Sequence, residues 1–430
     1  MTRAQTLIRQ LREGQHDDAL RALYGEDGQR LAAQRNRYID AIYQFEAAFG
    51  AGRELALFST PGRTEIGGNH TDHNHGIVMA AAVDLDIIAV VAKRDDAMIR
   101  VKSHGFAGVD EVALDALEAD AGEFGKSSAL IRGVAAAMKA RGGEIGGFDA
   151  YTDSDVLKGS GLSSSAAFEV CIGCVLNEVY NKGRFSAVQL GMMGQYAENV
   201  FFGKPSGLMD QTACAVGGVM TIDLKDPAAP VVDKIPLELA RHQLALVITD
   251  TKGSHANLTD DYAAVRTDME RVAAHFGKAV LREVPFSTFL GAIPAVRTAV
   301  GDRAVLRAIH FYSECERAKA LAKSLEKEDM AAFLRLVVAG GHSSFEYNQN
   351  AYSLKHPQEQ GVPVGLALSQ TVLDGKGAWR LQGGGFAGTI QAFVPFDLLE
   401  KYCALLNGAF GPDSAHVLTV RNAGCVCLAR

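Results

Sequence analysis

The sequence predicts an α+β protein of two domains, with mixed sheets and helices. Three observations lead there. At 430 residues the chain is longer than one hydrophobic core usually supports. Strand-like and helical segments alternate without the strict βαβ rhythm of a doubly wound sheet. A Pro- and Asp-bearing stretch, LKDPAAPVVDKIP around Asp226 to Pro236, reads as the connection between two halves. The expected division is a helical N-terminal extension over 1–50, a first domain over 51–235 and a second over 236–430.

Taken in order, the N-terminal residues are charged throughout and lack an apolar h-region, so they read as amphipathic helix and not as a signal peptide. From Leu55 to Ser103 the alternating apolar residues of LALFST and IIAVVAKRDDAMIRVKS predict strands around a polar loop. A helix is expected from Ser127 to Arg141, then the strand GFDAYTDSDV, then a Gly/Ser loop opening into the apolar helix AAFEVCIGCVLNEVY. Another helix spans Ser186 to Phe202, ended by Pro205 and Gly207, and a short one starts near Met209. Beyond the connection come the strand LALVITDT and charged helices within Asp260–Gly277, Arg303–Lys327 and Met330–Val338. The segment GAWRLQGGGFAGTIQAFVP follows as strand, glycine turn and strand, before the helix DLLEKYCALLN and a final β-pair.

Composition excludes several function classes. The balance of 43 basic and 50 acidic residues, a formal charge of −7, offers no counterion-release drive toward nucleic acid. An anionic substrate must be held by a local device. Seven cysteines, odd in number and mostly within apolar stretches, suit a reducing cytoplasm better than a disulfide framework. The most apolar stretch, Gly76 to Ala92, is broken by Asp84 and Asp86 and reads as sheet, not as a membrane span.

Four segments carry chemistry. In Lys158-Gly159-Ser160-Gly161-Leu162-Ser163-Ser164-Ser165-Ala166-Ala167, small residues open a helix whose N–H groups and dipole favour an anion; a plain turn with a serine N-cap is the alternative. The loop from Pro61 to Gly76 gathers Arg63, Asn69, His70, Asp72, His73 and His75. Such a set can bind a polyol through fixed charge and paired donors and acceptors, or hold a metal ion through its histidines. Glu198 and the turn Gly203-Lys204-Pro205-Ser206-Gly207 lead to Asp210 at a helix start, either as a base or as a dipole-stabilising acid. Gly383-Gly384-Gly385 between strands permits close backbone approach.

Together and in this order the four segments resemble the GHMP kinases, and the histidine-rich loop resembles the galactokinase signature, from about Phe58 to the end of the chain. The resemblance implies a two-domain fold of that superfamily, with the active site in the cleft between the domains, and an ATP- and Mg²⁺-dependent sugar kinase. It also implies site roles. Gly159, Ser160, Gly161, Leu162, Ser163, Ser164, Ser165 and Ala166 cradle the ATP phosphates, and Ser165 and Glu198 hold the metal. Asp210 takes the sugar hydroxyl proton beside Arg63. Asn69, His70, Asp72, Gly207 and Tyr262 hold the sugar, and the Gly383 to Gly385 turn buttresses the phosphate loop. The chain departs from the signature twice: Asn69 stands where galactokinases carry Glu, and Glu65 where they carry Asn. The expected reaction is phosphorylation of the anomeric hydroxyl of galactose or a galactose-configured sugar; galacturonate, N-acetylgalactosamine and arabinose are alternatives, as is a catalytically silent sugar sensor. The expected partners are sugar and ATP alone, in a cytoplasmic monomer or small homo-oligomer.

Overall fold

A computed structural model of the chain describes residues 1–156, 161–253 and 258–430. Two sheets organise them. A nine-stranded, mostly antiparallel sheet is centred on two long strands, Glu54–Gly67 and Ile77–Lys93, which pair with each other along their length. A four-stranded sheet lies further along the chain, with Leu244–Asp250 and Thr389–Pro395 paired antiparallel at its centre.

The two long strands, predicted from their alternating apolar residues, are buried on both faces. The N-terminal extension is the reason. Its helices Ala4–Arg12, Asp17–Tyr24 and Gly28–Phe49 lay Leu11, Tyr38, Ile42 and Phe45 over Leu55, Leu57, Ile88 and Val90. The intervening residues Ala56, Phe58, Ala89 and Val91 point to the opposite face. There they meet helices Ser127–Ala140 and Ser164–Tyr180, through Val134 and Val170. Period-two geometry thus serves two layers at once.

The structure moves three further boundaries. The first long strand continues to Gly67, so Arg63 and Glu65 sit on a strand with register shifts at Pro61/Arg63 and Glu65/Gly67, and the polar loop shrinks to residues 68–76. Bulges of this kind re-aim side chains. The connection between halves contains a strand, Val231–Ile235, paired with Val219–Asp223. The last two strands do not pair with one another. Ala415–Leu418 joins the four-stranded sheet, whereas Val426–Ala429 returns to Glu54–Gly67. Three expected helices are found at Thr259–His275, Asp302–Glu326 and Met330–Ser343. Helices Phe286–Gly291, Ile293–Val300 and Gly361–Leu373 were not anticipated. Among the described residues no helix is long and apolar enough to cross a membrane.

One buried carboxylate ties extension, sheet and tail together. Asp86 accepts from Tyr24 Oη at 2.6 Å, Arg37 Nη1 at 2.7 Å, Arg421 Nη1 at 3.1 Å and the Ser59 hydroxyl. Burial opposes its charge, but Arg37 and Arg421 outweigh it and hold the carboxyl below its usual value. Asp86→Asn leaves buried cations uncompensated, so the expected loss is about 3–5 kcal/mol of stability. A denaturant midpoint equal to that of the unaltered protein would refute this.

Candidate active site

The cleft is lined by the end of the first long strand, the mouth of helix Ser164–Tyr180, the start of helix Met209–Val216 and the turn at Gly383–Gly385. At its centre Arg63 grips Asp210 with two parallel bonds, Nε to Oδ1 and Nη2 to Oδ2, each 2.7 Å. This fork-to-fork geometry is the strong form of the ion pair. Arg63 also donates through Nη1 to the Gly161 carbonyl, and its own N–H reaches Leu162 O at 3.1 Å. The strand is therefore sewn to the Gly/Ser loop. Ser163 donates its hydroxyl to Asp210 Oδ2. Ser163 has φ +59° and does not cap the helix it precedes, so the first-turn N–H groups stay directed outward. Burial works against the charge of Asp210, yet Arg63 and Ser163 prevail and hold its carboxyl below the ordinary range.

A second carboxylate lies beside it. Glu198, on a π-turn at Ala197–Phe201, is buried; its Oε1 accepts from Ser165 Oγ at 2.9 Å and Lys204 Nζ at 2.8 Å. Its Oε2 accepts from Gln211 Nε2 at 2.9 Å, and the same amide donates to Glu169 Oε2 at 3.0 Å. Glu169 and Gln211 escaped the sequence reading. Glu169 is wholly buried in an apolar helix, and burial followed by repulsion from Glu198 pushes its carboxyl well up. The signal was available: a lone acid four residues after Ser165 shares its helix face.

The sugar-loop residues converge on the glycine turn. His70 Nε2 lies 2.9 Å from Gly384 O, and Tyr262 Oη donates to Gly385 O at 3.0 Å. A side chain at Gly384 would meet the Tyr262 ring at 2.5 Å, which is why the turn needs glycine there. Burial, then His73, lowers the His70 pKa, so the ring is neutral near pH 7. Asp72 packs against Gly207, where a Cβ would stand 1.7 Å from its carboxylate. The Gly383–Gly385 turn reaches the phosphate loop through Gln382, whose Nε2 donates to Gly161 O at 3.1 Å.

Asn69 is placed otherwise than expected. It is completely buried, and its amide is fully used: Nδ2 donates to Gly383 O at 2.8 Å and Glu65 Oε2 at 3.2 Å, while Oδ1 accepts from Asn350 Nδ2 at 2.9 Å and Ser344 Oγ at 3.2 Å. It ties the loop to the second domain and offers nothing to the cleft. Glu65, the other departure, is its partner and also pairs with buried Arg380 at 2.7 Å. Leu162 lies in the core and faces the loop only through its backbone. Gly159 and Ser160 lie outside the described residues. The structure thus brings Arg63, Asp210, Ser163, Ser165 and Glu198 into one cleft, with His70, Asp72, Gly207 and Tyr262 along its wall.

Comparison with known proteins shows the family and the fold. The GHMP kinases N terminal domain matches residues 129–218, and the galactokinase galactose-binding signature matches residues 43–93. The galactokinase of Streptomyces coelicolor is 32% identical over 372 residues, covering 85% of this chain and 91% of that protein. The chain belongs to the galactokinase family. Its enzymes are phosphotransferases with a sugar hydroxyl as acceptor. The fold agrees as well: a Lactococcus lactis galactokinase crystallised with galactose superposes with a TM-score of 0.76 at 24% identity, over 89% of this chain and 98% of that one. The Methanococcus jannaschii mevalonate kinase shares the fold more distantly, with a TM-score of 0.59 at 13% identity over 86% and 98%. The two residues at which the chain was read as departing from the galactokinase signature, Glu65 and Asn69, touch one another in space.

The pair also sets a pH test. Burial lifts the Glu65 carboxyl to about 7 in spite of Arg380. Asn69→Asp, of the same shape, adds a second carboxyl against Glu65 and Gly383 O. The folded variant must then retain a proton that the unfolded chain releases near pH 4. A folded pKa raised in this way makes stability fall as pH rises. The expectation is near-normal stability at pH 4, where both folded and unfolded chains hold the proton, and a deficit that grows above it to about 2 kcal/mol by pH 5.5, read by chemical denaturation at the two pH values. Glu65→Gln in the same chain should remove the pH dependence.

Proposed function

We propose that the protein transfers the γ-phosphoryl group of ATP to the anomeric hydroxyl of galactose or a galactose-configured sugar, giving the sugar 1-phosphate and ADP. The observation that carries this reading is the Asp210 carboxylate, locked in ionised form by Arg63 and Ser163 at the open mouth of a helix. Phosphoryl transfer needs positioning and charge neutralisation more than covalent chemistry. The helix N–H groups and the Gly161 to Ala166 backbone receive the phosphates. His70, Asp72, Gly207 and Tyr262 form the wall that orients the sugar. As the hydroxyl oxygen bonds to phosphorus and the bond to ADP breaks, the hydroxyl proton passes to Asp210, and Arg63 offsets the charge near the transferring group.

Magnesium fits the donor set. Ser165 Oγ and Glu198 Oε1, 2.9 Å apart, are hard oxygens of the kind that bind Mg²⁺ together with substrate phosphates. They are the residues that would hold it, and the ion would supply neutralisation of phosphate charge. A sugar varied at its far end is the second reading, favoured by the commitment of Asn69 to the domain interface. The free thiols of all seven cysteines fit the cytoplasm where such sugars are metabolised.

Asp210→Asn should lower kcat by roughly 10²–10⁴ while ATP still binds. Because Arg63 keeps Asp210 ionised, kcat of the unaltered protein should stay level from pH 8 down to about 5. Both are read by ADP release over a panel of galactose, galacturonate, N-acetylgalactosamine and arabinose. Turnover of none of them would defeat the assignment.

A further inference from the structure

Lys204 has no part in the reaction as derived so far, yet it sits within it. Its Nζ is 2.8 Å from Glu198 Oε1, the same oxygen that accepts from Ser165 Oγ at 2.9 Å. The loop bearing it is fixed by the bond from Lys204 N to Glu198 O at 3.0 Å and by the Asn199 side chain, which accepts from Ser206 N at 2.7 Å. The side chain itself is 57% exposed and ends on four rotatable bonds. Burial of the ammonium works against its charge, but Glu198 first, then Asp210 and Glu169, hold its pKa above the ordinary lysine value. The Arg63 guanidinium is committed to Asp210, so among the described residues Lys204 is a movable cation beside these carboxylates.

A divalent ion on Ser165 and Glu198 would claim the oxygen that the ammonium holds. Two cations on one carboxylate oxygen repel each other strongly in a partly dry site. An ammonium displaced there faces the terminal phosphate of a nucleotide seated at the adjoining helix mouth, and a flexible lysine is suited to meet phosphate as a point charge. We propose that Lys204 is a second cation of the transfer site, one that exchanges Glu198 for the terminal phosphate of bound ATP. The inference rests on the kinase reading above. It adds a residue that touches substrate and stabilises the charge shed during transfer.

The test compares Lys204→Met and Lys204→Arg with the unaltered protein. ATP and ADP binding are measured by calorimetry with Mg²⁺ present and no sugar, and steady-state turnover of galactose is measured with Mg²⁺. Lys204→Met is expected to weaken ATP about tenfold and ADP less than about twofold, because only ATP carries the terminal phosphate. It should lower kcat by roughly 10–10² and leave the KM for the sugar unchanged. Lys204→Arg, which keeps the charge, should retain the preference for ATP. Equal weakening of ATP and ADP would make Lys204 a mere loop tie and overturn the proposal, as would unchanged binding and turnover. If the unaltered protein itself binds no ATP, the kinase reading falls too, so the two failures are separable. The exposed position of the side chain makes misfolding an unsuitable explanation, and a melting temperature within a few degrees of the original confirms it.

Discussion

The paired bonds between Arg63 and Asp210 are the constraint on which the site depends. They join the end of a core strand to the start of a helix 147 residues later, and through the Gly161 carbonyl they draw in the loop before a second helix. An exposed ion pair contributes little, but this one is shielded: the arginine side chain is 5% exposed and the aspartate 25%. The residual exposure of Asp210 leaves an opening through which, in the function proposed above, an acceptor hydroxyl would reach it. Burial would neutralise an aspartate standing alone; the guanidinium keeps it charged, and the same bonds fix its direction.

The glycine turn at residues 383–385 works in the same manner across the domain interface. Its three carbonyls accept from Asn69, His70 and Tyr262 in succession, and Gln382 beside it holds Gly161. One stretch of the second domain thereby sets both the sugar wall and the phosphate loop. The absence of side chains there is a requirement of packing: the ring of Tyr262 and the backbone at Asn350 occupy the space. The polar loop at residues 68–76 and the segment at Gly161 thus become related through main-chain oxygens of one turn and the Gln382 side chain beside it.

The chain's two departures from the galactokinase signature illustrate how a site can be rewired without losing its frame. Glu65 neutralises Arg380 in the interior, and Asn69 satisfies Glu65, the glycine turn and the second domain at once. A buried charge needs a partner and a buried amide needs all its bonds. Moving the carboxylate four positions along the chain keeps both conditions and takes its charge away from the cleft.

Much of this was legible in the sequence. The local signals were strong where backbone chemistry is local: small residues opening a helix, glycines in a turn, acids at helix starts, and a dense polar loop between strands. These singled out the segments that hold Arg63, Ser163, Ser165, Glu198 and Asp210 and placed the main helices closely, while the family resemblance was what grouped those residues. Partnership across distance is what the sequence did not contain. Alternation could not reveal that the N-terminal helices cover the second face of the sheet, because a strand pattern reports side-chain direction and not what lies opposite. The polarity of Asn69 suggested a ligand contact, yet its four bonds come from elements up to 281 residues away, and only the folded interface could claim them. Glu169 drew no reading from the sequence, and its tie to Gln211 and Glu198 emerges only in the fold. Residue type and spacing therefore determined which chemistry was possible, and tertiary packing decided which polar groups were already spoken for and which remained to face a substrate.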